Sequence, residues 1–378
     1  MNRFLRGVCY EGQITKDLVK VIPQRSIALL HHEDIDCTAA DGLVDKKVKA
    51  VLNMKRSMTG RYDHHGVLEL LKAQIPVFDI VEIYDHNINL HRSKIKFINL
   101  DLYVRDETQW RKVAKVFKYT IKWVKELIKL SSFHVNELYN EFVNNSLAFA
   151  DKELPEFINA NVSNQPFKDL NGKEVVIVVR GTKYKKDLQT LLPRIKRKKL
   201  PIIAVDGAAD GLAELGIIPN YIIGDMDSVS EKLLRSGANL IAHGYLNGVS
   251  PGYDRVCNLG LRCEKVSFVG TSEDVAIIFS YWANATVIYL VGGHNSMNDF
   301  LDKGRKGMGA TLLTRMQAGH RIVDLKGIHR LELKKSEYSL PLFPIAGSFA
   351  ALLFMTSSSK VQLLIMVLWN WVKAGGGV

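Results

Sequence analysis

Asp225 and Asp227 stand two residues apart, just past the apolar run Tyr221–Gly224. In extended backbone, residues two apart point the same way, so both carboxylates can face one ligand. Two such charges repel unless a cation lies between them, and hard oxygen ligands suit Mg2+ holding phosphate. Gly224 permits close backbone approach, and Ser228 can cap the next helix or donate to phosphate. A lone Asp-x-Asp is more often an acidic surface turn. Here Asp206-Gly207-Ala208-Ala209-Asp210 ends a neighbouring apolar run, and two acidic clusters at adjacent strand ends favour a phosphate–metal site. In Gly270–Asp274, Thr271 or Ser272 begins a helix. That segment is either a capping box or the source of a third metal ligand, Asp274. Lys303, Arg305 and Lys306 either neutralise phosphates or form a solvated loop. Ser57, Gly60 and Arg61 lie between an apolar run and a helical one, which suits an anion cradle. His31, His32, Asp34, Asp36, His64 and His65 invite a metal reading. The absence of helical i,i+4 histidines and of a cysteine pair argues against zinc.

These groups need strand ends to hold them. Ser26–His31, Val48–Asn53 and Ile75–Ile80 are compact apolar runs with helical stretches Ala39–Val44 and Val67–Ala73 between them. The pattern predicts an α/β domain over residues 1–105, with a β appendage where period-two alternation occupies Ile83–Val104. Residues 106–165 read as a helical linker with two helices, ending in the turn-rich stretch Asn159–Gly172. Alternation resumes over 166–335 with Glu174–Val179, Pro201–Val205, Tyr221–Gly224, Val266–Val269, Val287–Val291 and Arg321–Leu325 as strands. A mostly parallel sheet gathers ligands at its carboxyl ends.

The 378 residues, 47% hydrophobic and 24% charged, exclude a disordered or fibrous chain. A formal charge of +12 points to an anionic partner. Four cysteines without a CxxC pair suit a reduced compartment. No apolar run follows Met1–Tyr10, so no signal peptide is expected. Tyr338–Ser359 carries no charge and Leu340–Met355 is almost wholly apolar, long enough for a bilayer core of about 30 Å. Residues 336–378 are therefore expected to hold a C-terminal transmembrane helix and short tail, a buried core helix being the alternative. The basic residues before it place the bulk of the chain in the cytoplasm. The lysines lack interleaved aromatics, so an anionic leaflet is the simpler partner and nucleic acid is not expected.

Gly181–Arg330 resembles the thiamin pyrophosphokinase-like domain, whose signature is a glycine-containing acidic turn followed by Gly-Asp-x-Asp-Ser, here Gly224–Ser228. Residues 7 to about 335 resemble the cytokinetic ring protein SteA family of bacteria. The carrying segments are Ile35–Leu43, Ser57–Tyr62, Val179–Leu188, Ile222–Val229, Gly270–Asp274, Asp299–Met308 and Thr311–Arg315. The resemblance implies a C-terminally anchored septation protein of the bacterial cell membrane, with division-complex partners and a tendency to form homodimers. It also implies Mg2+–ATP binding. Asp225, Asp227 and Asp274 would be catalytic and metal-binding. Asp206, Gly207, Gly224, Ser228, Thr271, Arg180, Lys303 and Arg305 would line the nucleotide cleft, with Ser57, Gly60 and Arg61 as a further anion site. An active diphosphokinase acting on thiamin or another alcohol is the alternative. Two departures from the kinase pattern are Ala208 in the acidic turn and Gly319–Tyr338, which has no Trp where a thiamin-contacting strand would stand. The vitamin pocket is therefore expected to be missing.

Overall fold

Short apolar runs set off by turn residues become strands β1 (Arg6–Gly12), β2 (Ile27–Leu30), β3 (Ala50–Asn53) and β4 (Val77–Ile83) of the computed structural model. It describes residues 5–85, 88–107, 109–160, 166–331 and 359–374. Helices α1 (Thr15–Val21), α2 (Cys37–Asp45) and α3 (Gly66–Lys72) cross between these strands, which therefore pair in parallel. All four residues of β2 are buried, as expected of a parallel strand covered on both faces. Ile27 and Leu29 pack with Leu52, Phe78 and Ile95, whereas Ala28 and Leu30 pack with Leu18, Leu43 and Leu70 of the helices.

The expected β appendage is instead what closes this sheet. Strands β5 (Lys94–Ile98), β6 (Asp101–Asp106) and β7 (Gln109–Lys118) run antiparallel, and β7 pairs with β4 while β5 pairs with β1. The result is a closed seven-stranded barrel in the order β1-β2-β3-β4-β7-β6-β5. Phe78 stacks on Phe97 across its interior, with ring centroids 4.2 Å apart. Residues 109–118 are thus strand where helix is expected, because pairing to β4 and β6 satisfies both backbone edges. Closure leaves no free sheet edge.

The two expected helices after residue 120 are one, α4 (Ile121–Ile158), 38 residues long and started by Thr120, whose hydroxyl accepts from the Trp123 amide. Its first half buries Val124 and Leu127 against the barrel helices. Its second half packs on the following module, with Phe142 against Phe300 and Phe157 against Phe268. Leu130, Phe133 and Tyr139 of the same helix stay exposed.

The second module is a seven-stranded sheet, parallel throughout. Its strands are β8 (Glu174–Val178), β9 (Ile202–Val205), β10 (Tyr221–Gly224), β11 (Asn239–Gly244), β12 (Glu264–Ser267), β13 (Val287–Val291) and β14 (Ile322–Asp324), in the order β12-β11-β10-β9-β8-β13-β14. The helices are α5 (Tyr184–Lys198), α6 (Ala208–Glu214), α7 (Glu231–Leu234), α8 (Pro251–Asn258), α9 (Ser272–Trp282), α10 (Met297–Leu301) and α11 (Gly309–Ala318). The chain winds outward from β8 to β12, then returns through α9 to β13 on the other side of β8. The order therefore reverses between β8 and β13, and a crevice opens outside their carboxyl ends.

The chain divides into one unit ending at His329 and a second beginning at Arg330. The transmembrane expectation is corrected here. Among the described residues no helix is long and apolar enough to cross a membrane. The helix of the second unit, α12 (Ser359–Ala374), has 16 residues. At 1.5 Å per residue it reaches about 24 Å, short of a hydrocarbon core. The apolar run Leu340–Met355 lies outside the described residues. The fold of the described residues is mixed α/β with no helix long and apolar enough to span a membrane, so neither the C-terminal transmembrane helix nor the single-pass membrane localisation is supported.

Candidate functional site

A cleft of about 2330 Å3 runs between the barrel and the carboxyl edge of the parallel sheet, lined by residues of both modules. Its two walls are tied together. Tyr62 donates to Asp302 (2.9 Å), Asn298 donates to the Asp63 carbonyl (2.8 Å), and the Lys183 amide donates to Asp41 (3.0 Å).

The ends of β8, β9 and β10 bring three groups together. Asp206 follows β9 with a left-handed φ of 47°, a conformation that costs an ordinary residue about 1–2 kcal/mol. Gly224 ends β10 with φ 154°, and a Cβ there would lie 1.6 Å from Asp206 Oδ1. Only glycine lets the two strand ends close on each other. Beyond it the Asp227 amide donates to Asp225 (3.1 Å), and Ser228 accepts from the Gly207 amide (3.2 Å). Arg180, following β8, lays its guanidinium against Gly207.

The electrostatics of this corner are unfavourable without a ligand. Burial, then the Asp225 and Asp227 charges, push the Asp206 carboxyl up to about 7. Asp206 Oδ1 is buried with no hydrogen-bond partner. Burial also raises Asp225, with Asp227 adding to it. Asp227 lies below the usual carboxylate range, since hydrogen bonds from Asp225 and Lys16 outweigh its burial. Lys16 reaches across from α1 to both Asp227 oxygens, at 3.0 and 3.2 Å. Opposite the acids, Lys303 extends from an open loop into the cleft. Its ammonium is pushed below its ordinary value by desolvation and, despite the neighbouring Glu273, by Arg305 and Arg180.

The expected three-aspartate set is not assembled. Asp274 is fully buried, does not line the cleft, and serves as the capping box of α9. Its carboxylate accepts from the Thr271 amide (2.8 Å) and the Thr311 hydroxyl (2.9 Å). Burial and then Glu273 push it up to about 6. Thr271 lines the cleft, but its hydroxyl caps the helix by accepting from the Asp274 amide. Among the described residues no three His, Cys, Asp or Glu side chains are grouped as a metal cage. Mg2+ in phosphate sites takes one or two carboxylates and completes its shell with phosphate and water. The orphaned Asp206 oxygen beside Asp225 fits that demand, and Asp227 would join once Lys16 releases it.

Ser57, Gly60 and Arg61 do not form an anion cradle. Ser57 is buried and donates to Asp79 (2.5 Å), which also accepts from Tyr119 (2.7 Å), while Asn53 donates to Ser57 (3.0 Å). This knot joins β3, β4 and the end of β7 and leaves no donor free for an anion. Gly60 packs on Leu127, and Arg61 alone of the three faces the cleft. The histidines are divided among separate acids. His31 meets Glu11 at 2.8 Å, His64 meets Asp34 at 3.1 Å, and His65 meets Asp63 at 3.2 Å.

Lys16 carries no sequence signal, since a lysine on an amphipathic helix is normally a solvated charge. If it competes with a cation for Asp227, Lys16→Met should tighten Mg2+ binding in the absence of nucleotide. Freeing one exposed ion pair predicts a change of about two- to five-fold in calorimetric affinity. An unchanged affinity would show that the lysine and the cation do not share Asp227. Sequence reasoning assigns no role to Glu273, Arg315 or His294. A glycine pair before a histidine at a strand end was the available signal.

No protein-family model matches the chain, and no curated protein matches it by sequence. A crystal structure of thiamine pyrophosphokinase from Bacillus subtilis is similar at 20% identity, with a TM-score of 0.24. The likeness covers 40% of this chain and 60% of that one. None of these comparisons points to the SteA family.

Proposed function

We propose that the cleft binds a nucleoside triphosphate, or another polyphosphate ester, together with Mg2+. The observation that carries this reading is the juxtaposition of opposite charges at one strand-end corner. Asp206, Asp225 and Asp227 crowd together with one buried oxygen unpartnered, while Arg180, Lys303 and Arg305 stand beside them. A cation relieves the acids and phosphate oxygens relieve the bases, so one metal–polyphosphate ligand answers both. Asp206 and Asp225 would hold the ion, Asp227 joining once Lys16 releases it, with Ser228 and the three basic side chains on the phosphates. The ion would supply charge neutralisation for the polyphosphate. The cleft exceeds the several hundred Å3 usual for a small ligand, which leaves room for a second molecule.

The full chain should melt at a higher temperature with Mg2+ and ATP together than with either alone, because both bind the folded state and each improves the site for the other. No added stabilisation from the combination would overturn the reading. The septation role is supported by the motif resemblance alone. A fluorescent fusion enriched at the septum is its expected result, and a uniform signal would remove it.

A further inference from the structure

We propose that His294 is a catalytic proton acceptor, so that the cleft transfers phosphoryl groups from the nucleotide to a hydroxyl group instead of only binding it. This deepens the nucleotide reading above and rests on it. His294 follows β13 through Gly292 and Gly293, at the point where the strand order reverses. Gly292 has φ 68°, and a Cβ there would meet the Val179 carbonyl at 2.2 Å, so the backbones after β8 and β13 nearly touch. That approach seats the imidazole on the cleft wall beside Lys303.

The ring is held by a carboxylate from another element. Glu273, in the first turn of α9, is 5% exposed. It accepts from His294 Nδ1 at 2.7 Å, from the His294 backbone amide at 3.1 and 3.2 Å, and from Arg315 of α11 at 3.2 Å. An ionised carboxylate only accepts, so Nδ1 carries the proton and Nε2 keeps its lone pair. Among the described residues no hydrogen-bond partner stands on Nε2, and the ring lines the cleft. Lys303 lies 3.4 Å from Nδ1, and Arg315 pairs with Glu273 at 3.2 Å. A histidine serving packing alone would have both nitrogens satisfied or shielded, whereas this one is oriented at one end and open at the other.

In the step proposed, Nε2 takes the proton of a water or alcohol O–H as that oxygen attacks the terminal phosphorus of the triphosphate. The new O–P bond forms while the bond from that phosphorus to the bridging oxygen breaks. The electron pair departs with the nucleoside diphosphate, whose added charge falls beside Arg180, Lys303 and Arg305. The imidazolium then returns its proton to solvent. Glu273 is the positioning residue, since it fixes the tautomer without touching the substrate.

The test uses the full chain with Mg2+ and ATP, water or glycerol as the hydroxyl source, and the release of phosphate or of glycerol phosphate as the readout. The wild type should turn over. His294→Ala and His294→Gln should lose about 10²–10⁴-fold in rate while keeping the Mg2+–ATP thermal shift. Free imidazole should restore part of the rate of His294→Ala, which repair of a packing defect would not do. Wild-type binding without turnover on either acceptor overturns the catalytic role and leaves the binding reading intact, as does full activity in both variants. A wild type that shows no Mg2+–ATP thermal shift overturns the nucleotide reading, and this inference with it.

Discussion

Asp206→Asn is expected to raise the melting temperature of the ligand-free protein at pH 8 and to abolish the further rise produced by Mg2+ with ATP. Both effects come from one buried carboxylate. Its folded pKa is raised from 3.8 to about 7, by desolvation first and then by Asp225 and Asp227. A carboxyl whose folded pKa lies above its unfolded value contributes stability that is fully present below the unfolded pKa. That contribution is lost as pH rises through the folded one. The ionised form therefore costs stability above about pH 7, and asparagine, neutral throughout, removes the cost. Because part of the shift is shared with Asp225 and Asp227, the gain is on the order of 1–2 kcal/mol at pH 8 and shrinks toward pH 4. The same substitution removes an anionic oxygen from the cation site, so the ligand-dependent stabilisation disappears. Thermal melts of both proteins at pH 5 and pH 8, with and without Mg2+ and ATP, check the two effects together. A gain equal at both pH values would mean that the carboxyl is not held protonated. Retained Mg2+–ATP stabilisation would remove Asp206 from the ion site.

Gly224→Ala should be among the most damaging single-methyl changes in the second module. The added carbon would lie 1.6 Å from Asp206 Oδ1 and 2.2 Å from its Cγ, so the side chain or one strand end must move. The residue also has φ 154°, which only glycine adopts readily. The combined cost is on the order of 3–5 kcal/mol, within the range reserved for strain and overpacking in a core. Gly216→Ala is the matched control, because it has φ 72° and open space around the new carbon. It should lose only the backbone term of about 1 kcal/mol. Urea denaturation of the two variants separates the terms, and equal losses would show that the Asp206 contact is not what fixes glycine at 224. A folded Gly224→Ala protein should bind Mg2+–ATP poorly, since relief of the clash displaces the orphaned oxygen.

Local pattern carried much of the architecture. Parallel strands buried on both faces read as unbroken apolar runs, so β2, β3, β8, β9, β10 and β13 are visible as sequence, as are the helical stretches within Ala39–Val44 and Val67–Ala73. The Asp225–Ser228 turn and the Asp206 turn were legible for the same reason: chemistry at the end of such a strand interrupts an otherwise apolar stretch. Residues 109–118 are not legible, because exposed lysines three apart mimic helical periodicity when only partner strands decide the conformation. The apolar run before Lys360 suggests a bilayer from length and polarity alone, and it lies outside the described residues.

At the site, residue type and spacing determined that acids and bases would gather at strand ends. Which acids would meet was decided by tertiary structure. Asp274 shares a motif style with Asp225, yet the start of α9 turns its carboxylate inward to Thr271 and Thr311, while the close approach of β9 and β10 aims Asp206 at Asp225. Lys16 meets Asp227 across 211 residues of sequence, and Glu273 meets His294 only because α9 returns the chain across the sheet. Contacts of that kind depend on how far apart folded elements settle. A single sequence encodes such distances through the packing of the whole chain and not through any local pattern of residues.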